Sequence, residues 1–252
     1  MTSKADFLAR IRTEMAKTPG LFAASPAARP ARPGERLEVL RRELSERWPQ
    51  MLERFRAEFE RVAGIFHRVS SAAEVPAVLE RICRERAARR LMAWPPEELG
   101  VAIAPRLAAA GISVESMPRA LVPESERRRL RDVAAEADLG VTGADLAVAE
   151  TGSLILLSGA GRPRSTSLLP PCHIAVFGPG ALVESLAQVG VFLEAWHGDA
   201  QPAWKGGAIN VITGPSRTAD IELPLTRGVH GPKELHAIFV DGDIVTGSGN
   251  LG

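Results

Sequence analysis

The chain has 252 residues, of which 45% are hydrophobic and 24% are charged, a composition typical of a soluble globular protein with one large domain or one domain and an appendage. No apolar run approaches the roughly 18 residues that cross a bilayer, and the first residues lack the apolar segment of a signal peptide. The two cysteines are too few for a disulfide framework or for the roughly four thiolates of an iron–sulfur cluster. We therefore expect a cytoplasmic protein with no membrane span and no cofactor of its own.

The formal net charge is +1, but it is unevenly spread: residues 1–131 have 25 basic and 17 acidic residues, whereas the residues from Asp132 onward have 6 basic and 13 acidic residues. The basic residues alternate with glutamates along predicted helices and have few aromatic neighbours, so we expect no binding of nucleic acid. The asymmetry indicates either solvated arginine-rich helices or a surface that attracts a partner of opposite charge.

Residues 1–64 form a predicted N-terminal helical extension. Apolar residues at helical spacing predict a short amphipathic helix over residues 3–17, and the prolines that follow predict a linker. From Glu35 the pattern is helical again. We expect Pro49 to break or restart this second helix and Gly64 to end it.

After this extension, strand-like segments alternate with helical ones. "IFHRV", "RRLMAW" and "ISVESM" are typical of strands separated by helices, which predicts a three-layer α/β domain over residues 65–241 and a tail over residues 242–252. "LAVAE" and "SLILL" break the alternation, because they flank Thr151–Gly152 as the two strands of a tight hairpin. We expect these antiparallel strands to be inserted in, or appended to, a mainly parallel sheet.

Two acids lie among the apolar residues of the predicted hairpin. Glu150, at the mouth of the turn, is a candidate catalytic residue, and Asp145, Thr151 and Gly152 are candidate ligand-binding residues. The alternative is that both acids satisfy backbone N–H groups of turns.

The segment "SLLPPCHIAVFG" places His173 at the start of a predicted strand, where loop and sheet meet. His173 is the second candidate catalytic residue, and the alternative is a histidine with a structural hydrogen bond. Cys172 has no activating partner nearby in the sequence, so we interpret it as a packing residue.

The segment "ITGPSRTADIE" follows another predicted strand, at the position where open α/β sheets bind ligands. The planar guanidinium of Arg217 suits an anion, although Arg217 could instead pair with Asp220, Glu222 or Glu150 inside the fold. The ligand-binding residues predicted in this loop are Gly214, Ser216, Arg217, Thr218 and Asp220.

His230 lies between Gly228 and Gly231 before the last predicted strand and is a further ligand-binding candidate, because glycines let the backbone lie against a ligand. His236, inside the strand, is expected in the core. No H-x-x-H or C-x-x-C spacing is present, so we predict no metal site. The G-x-S-x-G motif of serine hydrolases and the glycine motifs of nucleotide sites are absent as well.

Taken in order, the strings T-G-A-D, A-E-T-G, L-P-P-x-H, G-P-S-R-T-A-D-I-E and G-V-H-G-P resemble the lactate utilization protein C family, the LUD domain proteins. The resemblance extends over roughly residues 65–241. It implies an α/β fold similar to that of phosphosugar isomerases and CoA-transferases. It also implies a role in the oxidation of L-lactate to pyruvate, together with two partner proteins that resemble iron–sulfur oxidoreductase subunits and that would carry the clusters.

Our main hypothesis is a substrate-handling subunit of a lactate-oxidising assembly. In it, Arg217 binds a small carboxylate, and Glu150, with His173 or His230, transfers a proton from the 2-hydroxyl group. A second hypothesis is an autonomous enzyme of the CoA-transferase or sugar-phosphate isomerase type, with Glu150 as nucleophile by analogy of fold alone. A third is a scaffold whose arginine-rich N-terminal helices dock partner subunits. The first hypothesis requires that Arg217 and Glu150 share one pocket.

Overall fold

The computed structural model describes residues 4–17, 32–196, 208–219, 225–227, 230–242 and 244, apart from the side chains of residues 15, 217–219 and 225–227. The chain divides into two compact units, Met1–Pro33 and Gly34–Gly252. In the first unit, the structure describes one helix, α1 (Lys4–Ala16).

The second unit begins with a long helix, α2 (Pro33–Arg61), which continues through Pro49. The prediction that Pro49 interrupts the helix is therefore wrong. Proline removes one backbone hydrogen bond, but tertiary packing of an apolar face can offset that loss. The buried residues of this face recur at helical spacing and are Leu37, Leu44, Met51, Leu52, Phe55 and Phe59.

The main sheet has six strands, and all its neighbouring pairs are parallel. Its order is β1-β12-β7-β4-β2-β3. The strands are β1 (Ile65–Val69), β2 (Arg90–Ala93), β3 (Ser113–Ser116), β4 (Leu139–Gly143), β7 (Cys172–Phe177) and β12 (Glu234–Val240).

The predicted hairpin is present but belongs to a second sheet rather than to the parallel one. Its strands β5 (Leu146–Val148) and β6 (Ser153–Ser158) pair antiparallel, in a four-stranded sheet of order β8-β5-β6-β9. The remaining strands are β8 (Leu182–Val183), β9 (Ala208–Ile212), and a separate antiparallel pair formed by β10 (Arg217–Ala219) and β11 (Leu225–Arg227).

Helices cover both faces of the parallel sheet. Phe55 of α2 packs edge-on against Phe177 of β7. Successive side chains of a strand point to opposite faces of the sheet, so Glu234 of β12 lies on the face opposite to Phe177. There it pairs with Arg86, the residue after helix α3 (Val75–Glu85). The α/β fold with a mainly parallel sheet is thus confirmed. The other α-helices of the described residues are α3 (Val75–Glu85), α4 (Pro96–Leu99), α5 (Ala104–Ala109), α6 (Glu124–Glu136), α7 (Ser165–Leu168) and α8 (Leu186–Trp196).

One hydrophobic core joins α2, both large sheets and α8. A smaller cluster under α6 contains Met92, Met117 and Leu130. Among the helices in the described part of the chain, none is long and apolar enough to cross a membrane.

Candidate functional site

The hairpin bend between β5 and β6 is pressed against α2. Gly152 has φ +60°, and a Cβ atom there would overlap the backbone of Glu58 and Phe59. Both the left-handed conformation and the close approach require glycine at this position. The bend therefore holds Glu150 and Thr151 at a fixed place beside the C-terminal end of α2.

Glu150 is exposed, and its carboxylate lies at the start of α8. Its Oε2 accepts a hydrogen bond of 3.1 Å from the backbone N–H of Leu186, the first residue of that helix. Its own N–H donates to the carbonyl of Glu184 at 3.0 Å. Negative charge is favourable at a helix N-terminus. Glu150 therefore satisfies a backbone N–H group, which was the alternative to a catalytic role, and part of its side chain still faces solvent.

A row of three hydroxyl groups connects the hairpin bend to the end of β9. The Oγ1 of Thr151 lies 2.7 Å from the Oγ of Ser153, which in turn lies 2.7 Å from the Oγ1 of Thr213. The antiparallel pairing of β6 with β9 brings them together. In this hydroxyl row (Thr151, Ser153 and Thr213), the central Ser153 is buried, whereas Thr151 is half-buried and Thr213 is exposed.

The loop after β9 lies against the same end of α2. Gly214 has φ +76°, and a Cβ atom there would overlap the carbonyl oxygen of Val62, just beyond the helix. Farther along, the N–H of Ser216 donates to the carbonyl of Pro232 at 2.9 Å. The structure thus brings Gly152 and Gly214 to one helix end and joins their strands through the hydroxyl row.

Four of the predicted positions follow this loop. Arg217 and Thr218 open β10, with side chains outside the described part of the structure, and Asp220 lies outside the described residues. His230 is exposed, in a turn next to Gly231. The shared pocket of Arg217 and Glu150 stays a prediction.

His173 lies in the core of the parallel sheet and is fully buried. Its Nε2 is 2.8 Å from the Oγ1 of Thr142 on the neighbouring strand β4. Burial, and then the nearby His236, lower the pKa of His173 to about 3, so the ring is neutral at neutral pH. Its catalytic role stays a prediction, and a substrate could reach His173 only if the surrounding core opened.

Asp145 belongs to a buried ionic group beyond the carboxyl ends of strands β2 and β4. Its Oδ2 accepts the backbone N–H of Leu157 at 2.7 Å, and its Oδ1 accepts a hydrogen bond from Nη2 of Arg162. The Nε of Arg162 lies 3.5 Å from Oε2 of Glu98, and its guanidinium lies 5.1 Å from the ring centroid of Trp94. Asp145 thus fixes the loop after β6 to the hairpin.

The sequence did not predict several of these partners. Arg162 and Glu98 complete the buried group, and Ser153 and Thr213 complete the hydroxyl row. The scarcity of arginines after Asp132 was the one signal that pointed to Arg162. The other partners come from distant strands, and their residue types are common in loops.

Comparisons with known proteins agree with the resemblance seen in the sequence. The LUD domain profile matches residues 52–240. The chain is 44% identical over 119 residues to lactate utilization protein C of Halalkalibacterium halodurans, which covers 46% of this chain and 50% of the relative. It is 36% identical over 138 residues to lactate utilization protein C of Macrococcus caseolyticus, which covers 54% of this chain and 58% of the relative. The chain thus spans about half the length of the curated relatives that it matches.

A solved structure shares the fold. The crystal structure of a DUF162 family protein from Deinococcus radiodurans superimposes with a TM-score of 0.52. The superposition covers 77% of this chain and 98% of that chain at 22% sequence identity. At this identity the likeness is one of architecture.

Proposed function

The chain belongs to the LUD domain family, and from this membership we propose that it works in lactate utilization. In this proposal it supports the oxidation of L-lactate to pyruvate as a subunit beside two iron–sulfur partner proteins. The observation that carries the proposal is the 36–44% identity to relatives named lactate utilization protein C. The reaction removes two electrons and two protons from lactate, so an electron acceptor is needed. The clusters of the partners take that role.

We propose that the region beside the C-terminal end of α2 binds the carboxylate substrate. The hydroxyl row supports this, because Thr151 and Thr213 offer O–H donors near the surface and Thr213 leads directly into the loop that carries Arg217. A guanidinium and hydroxyl donors together suit a small carboxylate. Glu150, at the same bend, would repel a bare carboxylate but could accept the proton of the 2-hydroxyl group.

Growth on lactate tests the proposed role. Deletion of the gene for this chain should abolish growth on L-lactate as the carbon source and leave growth on pyruvate unchanged, because pyruvate enters after the proposed step. A plasmid copy of the gene should restore growth. Growth on L-lactate at the wild-type rate after the deletion would contradict the proposal.

Calorimetric titration tests the carboxylate site separately. L-lactate and pyruvate are titrated into the full chain, alone and with its partners present. We expect Arg217→Gln to weaken binding by roughly tenfold or more, because it removes a charge-assisted hydrogen bond. Thr213→Val should weaken binding, whereas Thr213→Ser, which keeps the hydroxyl, should not. No heat with either ligand, or equal affinities for wild type and Arg217→Gln, would contradict this location of the site.

A further inference from the structure

A second cluster of reactive side chains lies at the other end of the parallel sheet, at the amino ends of the inner strands β7 and β12. Cys172 and Glu234 are the first residues of these neighbouring strands and are register partners. His236 follows two residues after Glu234, and therefore lies on the same face of the sheet. This face is covered by α3, away from α2 and the hydroxyl row.

The three side chains converge. The Sγ of Cys172, a carboxylate oxygen of Glu234 and a ring nitrogen of His236 all lie within 4.8 Å of one another. Cys172 and His236 are buried, whereas the Glu234 side chain is 32% exposed. The cluster is thus largely shielded from water but has one side open to it.

His67 on β1 supports His236 from behind. Its Nε2 lies 2.9 Å from Nδ1 of His236, and the two ring planes are nearly parallel, with an interplanar angle of 3° and ring centroids 5.2 Å apart. One ring must donate and the other accept. When His236 donates through Nδ1, its Nε2 is an acceptor, which faces Nη2 of Arg86 and an oxygen of Glu234, each 3.2 Å away. A histidine that binds a metal usually donates its other ring N–H to an acceptor, and His67 can be that acceptor for His236.

The cluster already holds a cation, the guanidinium of Arg86. It donates two hydrogen bonds to the carboxylate of Glu234, and its Nη2 lies 3.2 Å from Nε2 of His236. Arg86 also has a second acidic neighbour, Glu85, at 3.6 Å. The guanidinium can therefore leave Glu234 and keep an ionic partner on its own side of the cluster.

We propose that Cys172, Glu234 and His236 form a binding site for a thiophilic divalent metal ion, with Zn²⁺ as the best match. A thiolate, an imidazole and a carboxylate are the three ligand types that Zn²⁺ takes in proteins, at about 2.0–2.3 Å. A tetrahedral ion would draw the donor atoms to roughly 3.3–3.7 Å from one another, which side-chain rotation and departure of Arg86 allow. Mg²⁺ and Ca²⁺ prefer oxygen ligands and do not suit this set.

Binding replaces one cation by another and releases a proton. The thiol of Cys172 loses its proton to solvent as the sulfur–metal bond forms, and Nε2 of His236 and one oxygen of Glu234 complete the protein ligands. The thiolate and the carboxylate then balance the two charges of the ion. The ion would join β7 to β12, and its fourth position would be left to water or a further ligand.

The test uses the full chain without a histidine tag, freed of metal by a chelator and titrated with Zn²⁺ and with Co²⁺. We expect one ion per chain, release of about one proton, and, for Co²⁺, the near-ultraviolet charge-transfer absorption of a thiolate ligand. The chain has two cysteines, so Cys83→Ser is the matched control for Cys172→Ser. Cys83→Ser should keep the absorption, and Cys172→Ser should lose it and bind Zn²⁺ at least about 100-fold more weakly.

Arg86→Gln gives an independent readout that does not remove a ligand. Loss of the competing positive charge should tighten Zn²⁺ binding roughly tenfold. An unchanged affinity in Arg86→Gln would show that the ion binds elsewhere. The absence of a thiolate band in wild type, or its persistence in folded Cys172→Ser, would likewise overturn the proposal, as would an unchanged Zn²⁺ affinity in folded His236→Gln. Circular dichroism establishes that each variant is folded.

Discussion

The buried ionic group around Asp145 is where single residues matter most for stability. The Asp145 side chain is fully buried, and those of Arg162 and Glu98 are each 13% exposed. Asp145→Ala leaves the guanidinium with one carboxylate at 3.5 Å and removes the acceptor of the Leu157 N–H. Breaking a buried pair in this way costs about 3–5 kcal/mol. We expect a loss of about 3 kcal/mol in the free energy of unfolding, measured with urea.

Glu136→Ala is the control for this variant. Glu136 pairs with Arg90 at 3.1 Å, but both side chains are more than half exposed. Exposed pairs contribute about 0–1 kcal/mol, so the unfolding midpoint should hardly move. Equal losses in the two variants would show that burial of Asp145 has no energetic consequence.

His173 makes stability depend on pH. Its pKa is lowered from 6.5 to about 3 by burial, so below pH 6.5 the unfolded chain takes up a proton that the folded chain does not bind. The free energy of unfolding therefore falls as the pH drops, by about 2 kcal/mol from this group between pH 7 and pH 5. In His173→Gln that component should vanish. The measurement is urea unfolding of both proteins at the two pH values, and parallel pH profiles would contradict the assignment.

At the residue scale, the sequence predicted the type of role better than the partner. Satisfaction of backbone donors was one of the two alternatives for Asp145 and Glu150, and both acids do accept backbone N–H groups. The donors, Leu157 and Leu186, could not be named, because a backbone N–H has no sequence signature. Cys172 had no visible partner for a similar reason, since Glu234 becomes its neighbour only through the pairing of β7 with β12.

At the scale of elements, the hairpin bend depends on the contact of Gly152 with α2. Gly152→Ala introduces a Cβ atom that overlaps the helix backbone and strains a residue at φ +60°. We expect a loss of about 2 kcal/mol or more in the free energy of unfolding, because backbone atoms cannot move aside as side chains do. Urea unfolding measures this loss.

Gly190→Ala is the matched substitution in α8. A Cβ atom at Gly190 meets nothing within 4 Å, so the helix should gain up to about 1 kcal/mol from the better helix propensity of alanine. If Gly152→Ala were as stable as Gly190→Ala, the bend would not be held against α2.

Local patterns predicted the elements themselves but not their assembly. Two apolar runs around Thr151–Gly152 predicted a hairpin, and β5 and β6 form it. Its place in a second sheet depends on pairing with β8 and β9, which follow later in the chain. Pro49 shows the opposite case, because its local preference to end a helix is outweighed by packing of the apolar face of α2.

At the scale of the whole molecule, the carboxyl and amino ends of the parallel strands hold different groups of polar side chains. The carboxyl ends of β2 and β4 lie next to the ionic group of Asp145, near the hairpin that leads to Glu150. The amino ends of β7 and β12 hold Cys172, Glu234 and His236. In a parallel sheet all amino ends lie on one side and all carboxyl ends on the other. A metal ion and a carboxylate could therefore bind independently, and loss of one should leave binding of the other intact.

The position of α2 predicts which truncations the chain tolerates. Six buried side chains of α2 enter the main core, and at about 1.5–3 kcal/mol each they contribute roughly 9–18 kcal/mol. This exceeds or matches the typical net stability of about 5–15 kcal/mol. A chain of residues 65–252 should therefore fail to fold, whereas residues 34–252, a compact unit, should unfold cooperatively near the temperature of the full chain. Thermal unfolding followed by circular dichroism distinguishes them, and a cooperative transition in residues 65–252 would show that α2 is dispensable for the core.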